Sequence, residues 1–281
     1  MSGIDRRRVQ QAFCGQAGEY ERHALVQQRV VDRLVGGLAA ERLAPGAILD
    51  VGAGTGMLLE RLHVAFPGSR LAGADLALGM ARTAAKRWHG SGALIVCADA
   101  EHLPFRAAHF DLVVSTSTFQ WLITLQQAFS EAHRVLVPGG RFRFALFGDR
   151  TLFELKDSYR QALLRIGSPQ PDRTHRSFDL ETVLTSLGAA GFLDCQGRVE
   201  LEVEAHPDVP ALLRSLKRIG AGTAAPAVGA GLGGRALMTT MMTIYQEEYG
   251  RDGLIPATYE VIYAEGTKGG GKVVSVATSR G

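Results

Sequence analysis

The size and charge of this chain exclude several classes of protein. Its 281 residues, 46% apolar and 21% charged, suit a soluble globular protein of one large domain or one domain with a lid, and no apolar run approaches the roughly 18 residues of a membrane span. A formal net charge of +3 gives no indication of nucleic-acid binding. The three cysteines lie far apart in the sequence and predict neither a disulfide framework nor a metal site. We therefore expect a cytoplasmic protein.

Residues 46–150 alternate strand-like apolar runs with helix-like runs, a pattern typical of a doubly wound parallel sheet. The turn Pro138-Gly139-Gly140 is expected to lead into the fifth strand. Right-handed crossovers bring the carboxyl ends of parallel strands to one edge of the sheet, where ligands bind. The predicted strands are Ala47–Val51, Arg70–Asp75, Ala93–Ala98, Phe110–Ser115 and Arg141–Phe147, and the predicted helices are Met57–Phe66, Leu78–Trp88 and Leu125–Val135.

Beyond Phe147 helix-like segments dominate. We expect an N-terminal helical cap (1–45), a ligand-binding core (46–150), a region of lid helices with the end of the sheet (151–267) and a flexible tail (268–281). Within the third region an insertion of about residues 206–252 separates the last two strands. The predicted helices are Thr151–Ile166, Asp179–Ala190, Pro207–Ala221 and Gly234–Tyr249, and the predicted strands are Cys195–Glu204 and Thr258–Gly266.

The first predicted strand ends in a glycine-rich turn. Gly52, Gly54 and Gly56 lie two residues apart, whereas the dinucleotide fingerprint Gly-x-Gly-x-x-Gly needs a glycine where Met57 stands. Asp75, at the end of the second strand, is placed to accept hydrogen bonds from ribose hydroxyls. The spacing favours a nucleoside-bearing cofactor other than a dinucleotide. A dehydrogenase is the main alternative, and a plain tight turn with a helix-capping aspartate is the simplest one.

This turn resembles the first motif of the S-adenosylmethionine-dependent methyltransferases of the Rossmann-like class. The resemblance implies an α/β fold with a seven-stranded, mostly parallel sheet, an antiparallel last strand and a helical lid insertion, and it implies S-adenosylmethionine as the cofactor. Asp50 would orient the turn or meet the ammonium group of the methionine, and Asp99 would accept from the adenine amino group. The cofactor-binding residues expected in this way are Asp50, Gly52, Gly54, Gly56, Asp75, Leu76, Asp99, Ala100 and Ser115.

Segments outside this core resemble one family, the malonyl-acyl-carrier-protein O-methyltransferases of biotin synthesis. They are Val9–Phe13 with Tyr20 and His23 on the opening helix, Phe119–Trp121, Thr151–Leu155, Leu213–Ala221 and Tyr259. The resemblance extends to about residue 266. It implies methyl transfer to the free carboxyl of malonyl-acyl-carrier protein or of malonyl-CoA. The carrier protein is expected to be acidic. Neither a nucleic acid nor a membrane is an expected partner.

A carboxylate is already a nucleophile at neutral pH, so this reaction needs positioning rather than a general base or a metal. We expect a cation to hold the carboxylate. Arg214, Lys217 and Arg218 share one helical face through their i, i+3 and i+4 spacing. The expected catalytic residues are Arg214 and Lys217, with Gln120 and Tyr20 near the reacting groups. The pattern leaves open which cation contacts the carboxylate and which meets the carrier protein.

Other interpretations remain open. The alternative enzyme is a methyltransferase of the same fold that acts on another small acid, a quinone or a lipid. The alternative outside the enzymes is a cofactor-binding regulatory or scaffold protein, which the intact glycines and acids disfavour. For the basic segment alone, the simplest interpretation is a solvated amphipathic helix.

Overall fold

A mixed sheet forms the centre of the molecule. The computed structural model describes residues 6–16, 18, 20–41, 43–167, 178–224 and 232–270. The strands are β1 (Ala47–Val51), β2 (Arg70–Asp75), β3 (Leu94–Cys97), β4 (Phe110–Thr116), β5 (Leu136–Phe147), β6 (Phe192–His206) and β7 (Ile255–Lys268). They lie in the order β3-β2-β1-β4-β5-β7-β6; the first five are parallel, and β7 is antiparallel to both of its neighbours. The predicted fold class is confirmed.

Helices cover both faces of the sheet. They are α1 (Arg6–Gln16), α2 (Tyr20–His23), α3 (Leu25–Ala40), α4 (Met57–Ala65), α5 (Leu78–Arg87), α6 (Gln126–Val135), α7 (Phe153–Arg165), α8 (Leu180–Ala189), α9 (Val209–Arg218) and α10 (Leu232–Tyr249). Asp208 caps α9 by accepting from the backbone N–H of Ala211 (2.6 Å). Across the described ranges, no helix combines the length and the apolar character needed to cross a membrane.

Burial on both faces explains the apolar strand sequences. All of β1 is buried, which is typical of a central parallel strand. On one face, the rings of Phe119, Phe129, Phe142 and Phe144 pack with centroids 4.6 to 5.9 Å apart. On the other face, α3, α4, α7 and α10 contribute to a second core. The sheet is therefore packed between two apolar cores.

The strand order creates a crevice at the carboxyl end of β1. The chain moves from β1 outward to β2 and β3, then returns to pair β4 on the other side of β1. In an open α/β sheet, ligands bind at the point where the strand order reverses. The glycine turn that follows β1 lies at this point.

The start of β5 differs from the prediction. Leu136 already pairs with Phe110, and the next pair along the strand joins Arg141 to Leu112. The Pro138-Gly139-Gly140 segment is therefore a bulge inside the strand rather than a turn before it, with Gly139 at a φ of +80°.

The last strand also extends beyond its predicted end. β7 reaches Lys268, whose ammonium donates to the carbonyls of His133 (2.7 Å) and Leu136 (2.8 Å). Burial lowers the pKa of this lysine. Most of the expected flexible tail, residues 271–281, lies outside the described residues.

Residues 207–254 connect β6 to β7 and contain α9 and α10. α10 packs along α7, where the Tyr249 hydroxyl donates to Asp157 (2.7 Å). The end of α9 reaches the N-terminal helices: a Cβ at Gly220 would lie 2.8 Å from Cδ1 of Phe13. The insertion and the N-terminal cap thus meet above the carboxyl edge of the sheet.

Candidate functional site

The glycine turn after β1 has left-handed backbone at all of its glycines. The φ values are +81° at Gly52, +56° at Gly54 and +88° at Gly56, which is the N-cap of α4. A Cβ at Gly52 would collide with the Thr118 hydroxyl and lie 2.6 Å from the Thr118 Cβ. A Cβ at Gly54 would meet no atom within 4 Å. The turn is therefore packed tightly at Gly52 and faces open space at Gly54.

Asp75 ties this turn to the end of β2. Its two carboxylate oxygens accept from the backbone N–H groups of Gly54 (2.8 Å) and Ala77 (2.7 Å). Burial raises the pKa of the Asp75 carboxyl, and the two N–H donors oppose that rise. A carboxylate oxygen accepts more than one hydrogen bond, so Asp75 is fixed in place and retains acceptor capacity.

Asp50 is a buried carboxyl beneath the turn. It is 1% exposed, and neither of its oxygens has a hydrogen-bond partner among the described residues. Burial, and then the nearby charge of Asp75, raises the pKa of Asp50 well above its ordinary value. A buried polar group without a partner costs free energy. A ligand that brings an ammonium group to this position would satisfy it.

A first cavity opens over the glycine turn, at the carboxyl ends of the central strands. Asp99 stands on its wall and accepts from the backbone N–H of Glu101 (3.0 Å). The cavity gathers side chains and backbone that are far apart in the sequence. The predicted cofactor residues that line it are Gly52, Gly54, Asp75, Leu76, Asp99 and Ala100.

The other predicted cofactor residues lie behind this wall. Gly56 is the N-cap of α4 and Asp50 is buried in β1, and neither lines the cavity. Ser115 is fully buried and donates to the carbonyl of Val51 (2.6 Å), so its hydroxyl joins β4 to β1 and does not face the cavity. Residues 116–118 form the wall at that point.

The N-terminal helices close the first cavity. The side chain of Gln10 donates to the carbonyl of Leu76 (2.8 Å), and Glu21 pairs with Arg87 on α5 (2.8 Å). These contacts join α1 and α2 to the core. The cap residues that line the cavity are Val9, Gln10, Phe13 and Tyr20.

A second cavity adjoins the first, between the N-terminal cap, the start of α7 and the insertion. Four residues line both cavities: Phe13, Tyr20, Ser117 and Trp121. The Phe13 and Trp121 rings meet edge to face with centroids 5.7 Å apart. A mostly aromatic wall therefore separates two adjoining spaces.

Tyr20 and Gln120, two of the predicted catalytic residues, both line the second cavity. Burial raises the pKa of the Tyr20 phenol, and the charges of Asp75 and Glu21 add to the rise, so the hydroxyl stays protonated. The side chain of Gln120 is 4% exposed and donates to the carbonyl of Ser117 (2.7 Å). Tyr20 also lines the first cavity, so it stands where the two cavities meet, whereas Gln120 lines the second cavity alone.

The predicted basic face of α9 points away from the cavities. Arg214, Lys217 and Arg218 are exposed, and none of them lines either space. The apolar side of the same helix faces inward, and Leu216 and Ile219 line the second cavity. Burial of the leucines sets the orientation of the helix, so its cations face solvent rather than the cavity.

Lys156 is a charged lining residue that sequence reasoning missed. It lies on α7, is 7% exposed, and donates from Nζ to the carbonyl of Asp149 (2.7 Å). A signal was present: Lys156 falls four residues after Leu152 and three before Tyr159, on the apolar face of the helix. A lysine on an apolar helical face is either paired or functional.

The arrangement suits transfer between two bound molecules. The first cavity offers carboxylates and backbone groups, and the second offers one ammonium group among neutral donors and apolar side chains. Within the part of the chain that the structure describes, no cluster of three His, Cys, Asp or Glu side chains is placed to hold a metal ion. Positioning and exclusion of water are the means that these residues provide.

Comparison with known proteins agrees with this geometry. Residues 49–144 match the model of a methyltransferase domain family. The chain is 53% identical over 266 residues to malonyl-acyl-carrier-protein O-methyltransferase of Geobacter sulfurreducens, and the match covers 94% of this chain and 100% of that protein. It is 36% identical to the biotin biosynthesis bifunctional protein BioHC of Saccharophagus degradans, covering 90% of this chain and 45% of that longer protein.

Solved structures share the fold. The YcgJ protein of Bacillus subtilis superposes with a TM-score of 0.59 at 18% identity, covering 85% of this chain and all of that one (100%). Phosphoethanolamine N-methyltransferase 2 of Haemonchus contortus, solved in complex with S-adenosyl-L-methionine, superposes with a TM-score of 0.51 at 19% identity and covers 90% of this chain and 53% of that one. At this identity the likeness is one of fold.

Proposed function

The chain belongs to the malonyl-acyl-carrier-protein O-methyltransferase family, and we propose that it converts the free carboxyl of malonyl-acyl-carrier protein to its methyl ester in biotin synthesis. It is an S-adenosylmethionine-dependent methyltransferase. The observation that carries the proposal is the 53% identity across the whole length of a relative of that name, because it includes the insertion that borders the second cavity.

We assign the first cavity to S-adenosylmethionine. Asp75 would accept from the ribose hydroxyls, Asp99 and Ala100 would border the adenine, and Leu76 would pack beside it. Gly54, whose missing Cβ leaves open space, would let the cofactor approach the backbone. The orphaned carboxyl of Asp50 fits the ammonium group of the methionine, directly or through a water.

When bound, the cofactor would supply a methyl group from its sulfonium: the methyl C–S bond breaks as a C–O bond forms to the substrate carboxylate, and S-adenosylhomocysteine is the leaving group. The protein need not move a proton, because a carboxylate of pKa near 4 is ionised at neutral pH. The task of Phe13, Tyr20 and Trp121 is to exclude water where the cavities meet. Gln120 and Tyr20 would orient the carboxylate for in-line attack, and such positioning can contribute several kcal/mol, up to roughly 7–11.

The exposed cations of α9 suit a different role. Arg214, Lys217 and Arg218 project from the outer face of the insertion. We propose that they contact the acidic carrier protein, since surface charge accelerates encounter and orients a partner of opposite sign. The N-terminal cap and the insertion would together act as a lid that admits the malonyl group.

The direct test is transfer of labelled methyl groups to malonyl-acyl-carrier protein, with malonyl-CoA and unloaded carrier protein as controls. We expect base-labile label on the malonyl group, faster transfer to the carrier-bound substrate, and none to unloaded carrier. Cofactor binding without transfer to either malonyl thioester would refute the proposal. In that case other small acids, quinones and lipids are the substrates to test next.

A further inference from the structure

The second cavity has an unusual distribution of charge. Among the described side chains that line it, Lys156 is the one with a formal charge; the others are aromatic, aliphatic or neutral polar groups. The neutral polar groups include Gln27, Gln120 and Thr151. A cavity with one cation and no lining carboxylate is suited to a ligand group with one negative charge.

The Lys156 side chain is buried and held at the wall of the cavity. The side chain is 7% exposed and donates to the carbonyl of Asp149 (2.7 Å), just before α7. Glu260 lies near enough for Lys156 to lower its pKa slightly, but Arg150 has a larger effect on Glu260. Glu260 is not part of the cavity wall. The carbonyl of Asp149 therefore anchors the ammonium group at that wall.

We propose that Lys156 binds the malonyl carboxylate and holds it against the wall shared with the cofactor cavity. The inference rests on the proposed function and deepens it by naming the cation. Arg214 and Lys217 face solvent on α9 and do not line this space, whereas Lys156 does.

A single ammonium group suits the reaction better than a cluster of cations. A carboxylate paired with several cations would lose nucleophilicity, but an unpaired one would not enter an apolar cavity. One ammonium group with neutral donors can fix the carboxylate while leaving an oxygen lone pair for attack.

The same residue distinguishes substrate from product. Methylation converts the carboxylate to a neutral ester, which cannot form an ion pair with Lys156. The product should therefore bind more weakly than the substrate, and the cavity should release it. This preference for the free acid is a property that a merely structural lysine would not confer.

The test compares Lys156→Met and Lys156→Arg with the exposed control Lys86→Met, at a residue of α5 that lines neither cavity. Two readouts are needed: kcat/KM for malonyl-acyl-carrier protein, and the ratio of affinities for malonyl-acyl-carrier protein and its methyl ester, measured with S-adenosylhomocysteine bound. In the wild type we expect a preference of at least about tenfold for the free acid. Lys156→Met should lower kcat/KM about 30- to 100-fold and bring the affinity ratio close to one.

The remaining outcomes separate the inference from the proposed function. Cofactor affinity should stay within about twofold in all variants, which shows that they are folded, and Lys156→Arg should keep part of the preference. If Lys156→Met loses affinity for acid and ester equally, or matches Lys86→Met, the inference is overturned while the function stands. A wild-type protein that transfers no methyl group to malonyl-acyl-carrier protein overturns both.

Discussion

Alanine at Gly52 and alanine at Gly54 should have different effects, although both glycines belong to one turn. Both have positive φ values, +81° and +56°. An L-residue in this region costs about 1–2 kcal/mol, so the backbone term is shared. The two positions differ in the space for the added methyl group. At Gly52 the new Cβ would lie 2.5 Å from Cγ2 and 2.6 Å from Cβ of Thr118. At Gly54 it would have no atom within 4 Å.

The magnitudes follow from that difference. Overpacking typically costs about 1–3 kcal/mol, so Gly52→Ala should lose about 2–5 kcal/mol of unfolding free energy and Gly54→Ala about 1–2 kcal/mol. The Gly54 methyl group would instead occupy space in the first cavity. Gly54→Ala should therefore lower cofactor affinity by a larger factor than its small loss of stability suggests.

The assay is urea unfolding of both variants without cofactor, paired with calorimetric titration of S-adenosylhomocysteine. Adding Thr118→Ala to Gly52→Ala should recover part of the lost stability, because it removes the Thr118 atoms nearest to the new methyl group. Equal stability losses for the two single variants, or no recovery in the double variant, would refute the packing argument for this turn.

Two other predictions concern charge. Arg214→Ala and Lys217→Ala should each raise KM for malonyl-acyl-carrier protein several-fold at low salt and less at high salt, with little change in cofactor affinity. If KM for malonyl-CoA rises by the same factor, the proposed carrier-protein contact is contradicted. Because burial raises the folded-state pKa of Asp50, the folded protein keeps a proton that the unfolded chain releases. Without cofactor, the unfolding free energy of the wild type relative to Asp50→Asn should therefore fall as the pH rises from the ordinary aspartate range to the raised pKa. The slope should be at most about 1.4 kcal/mol per pH unit. If urea unfolding gives parallel pH profiles for the two proteins, this explanation is excluded.

The sequence predicted the cofactor half of the molecule well for a physical reason. β1 and β2 were predicted with their observed ends, because each is an apolar run that stops at a glycine or an acid. In a parallel sheet such ends gather at one edge, so local patterns also placed Asp75 and Asp99 in the first cavity. Ser115 does not line this cavity, because a strand end does not reveal which face its side chain occupies, and its hydroxyl donates to Val51 instead.

The substrate half was harder to predict for a different reason. Helical spacing correctly grouped Arg214, Lys217 and Arg218 on one face of α9, but spacing alone does not say which face looks at a cavity. The leucines of α9 gain more from burial than the cations do, and so they turn inward. The buried cation came from α7, where Lys156 stands among apolar neighbours. A lysine on an apolar helical face was therefore a better indication of a cavity-lining cation than a group of cations on a polar helical face.

The division of charge between the two cavities follows from the reaction. In this reaction a sulfonium cation and a carboxylate anion are converted into a neutral thioether and a neutral ester. Charge is lost as the reaction proceeds, so surroundings of low polarity favour the transition state over the separately hydrated reactants. The wall formed by Phe13, Tyr20 and Trp121 provides that low polarity where the cavities meet. The protein's own charges are needed farther out, where they hold the reactants without neutralising the reacting atoms. Asp75 lines the first cavity and Lys156 lines the second, so each of these side chains has the sign opposite to that of the molecule it would hold.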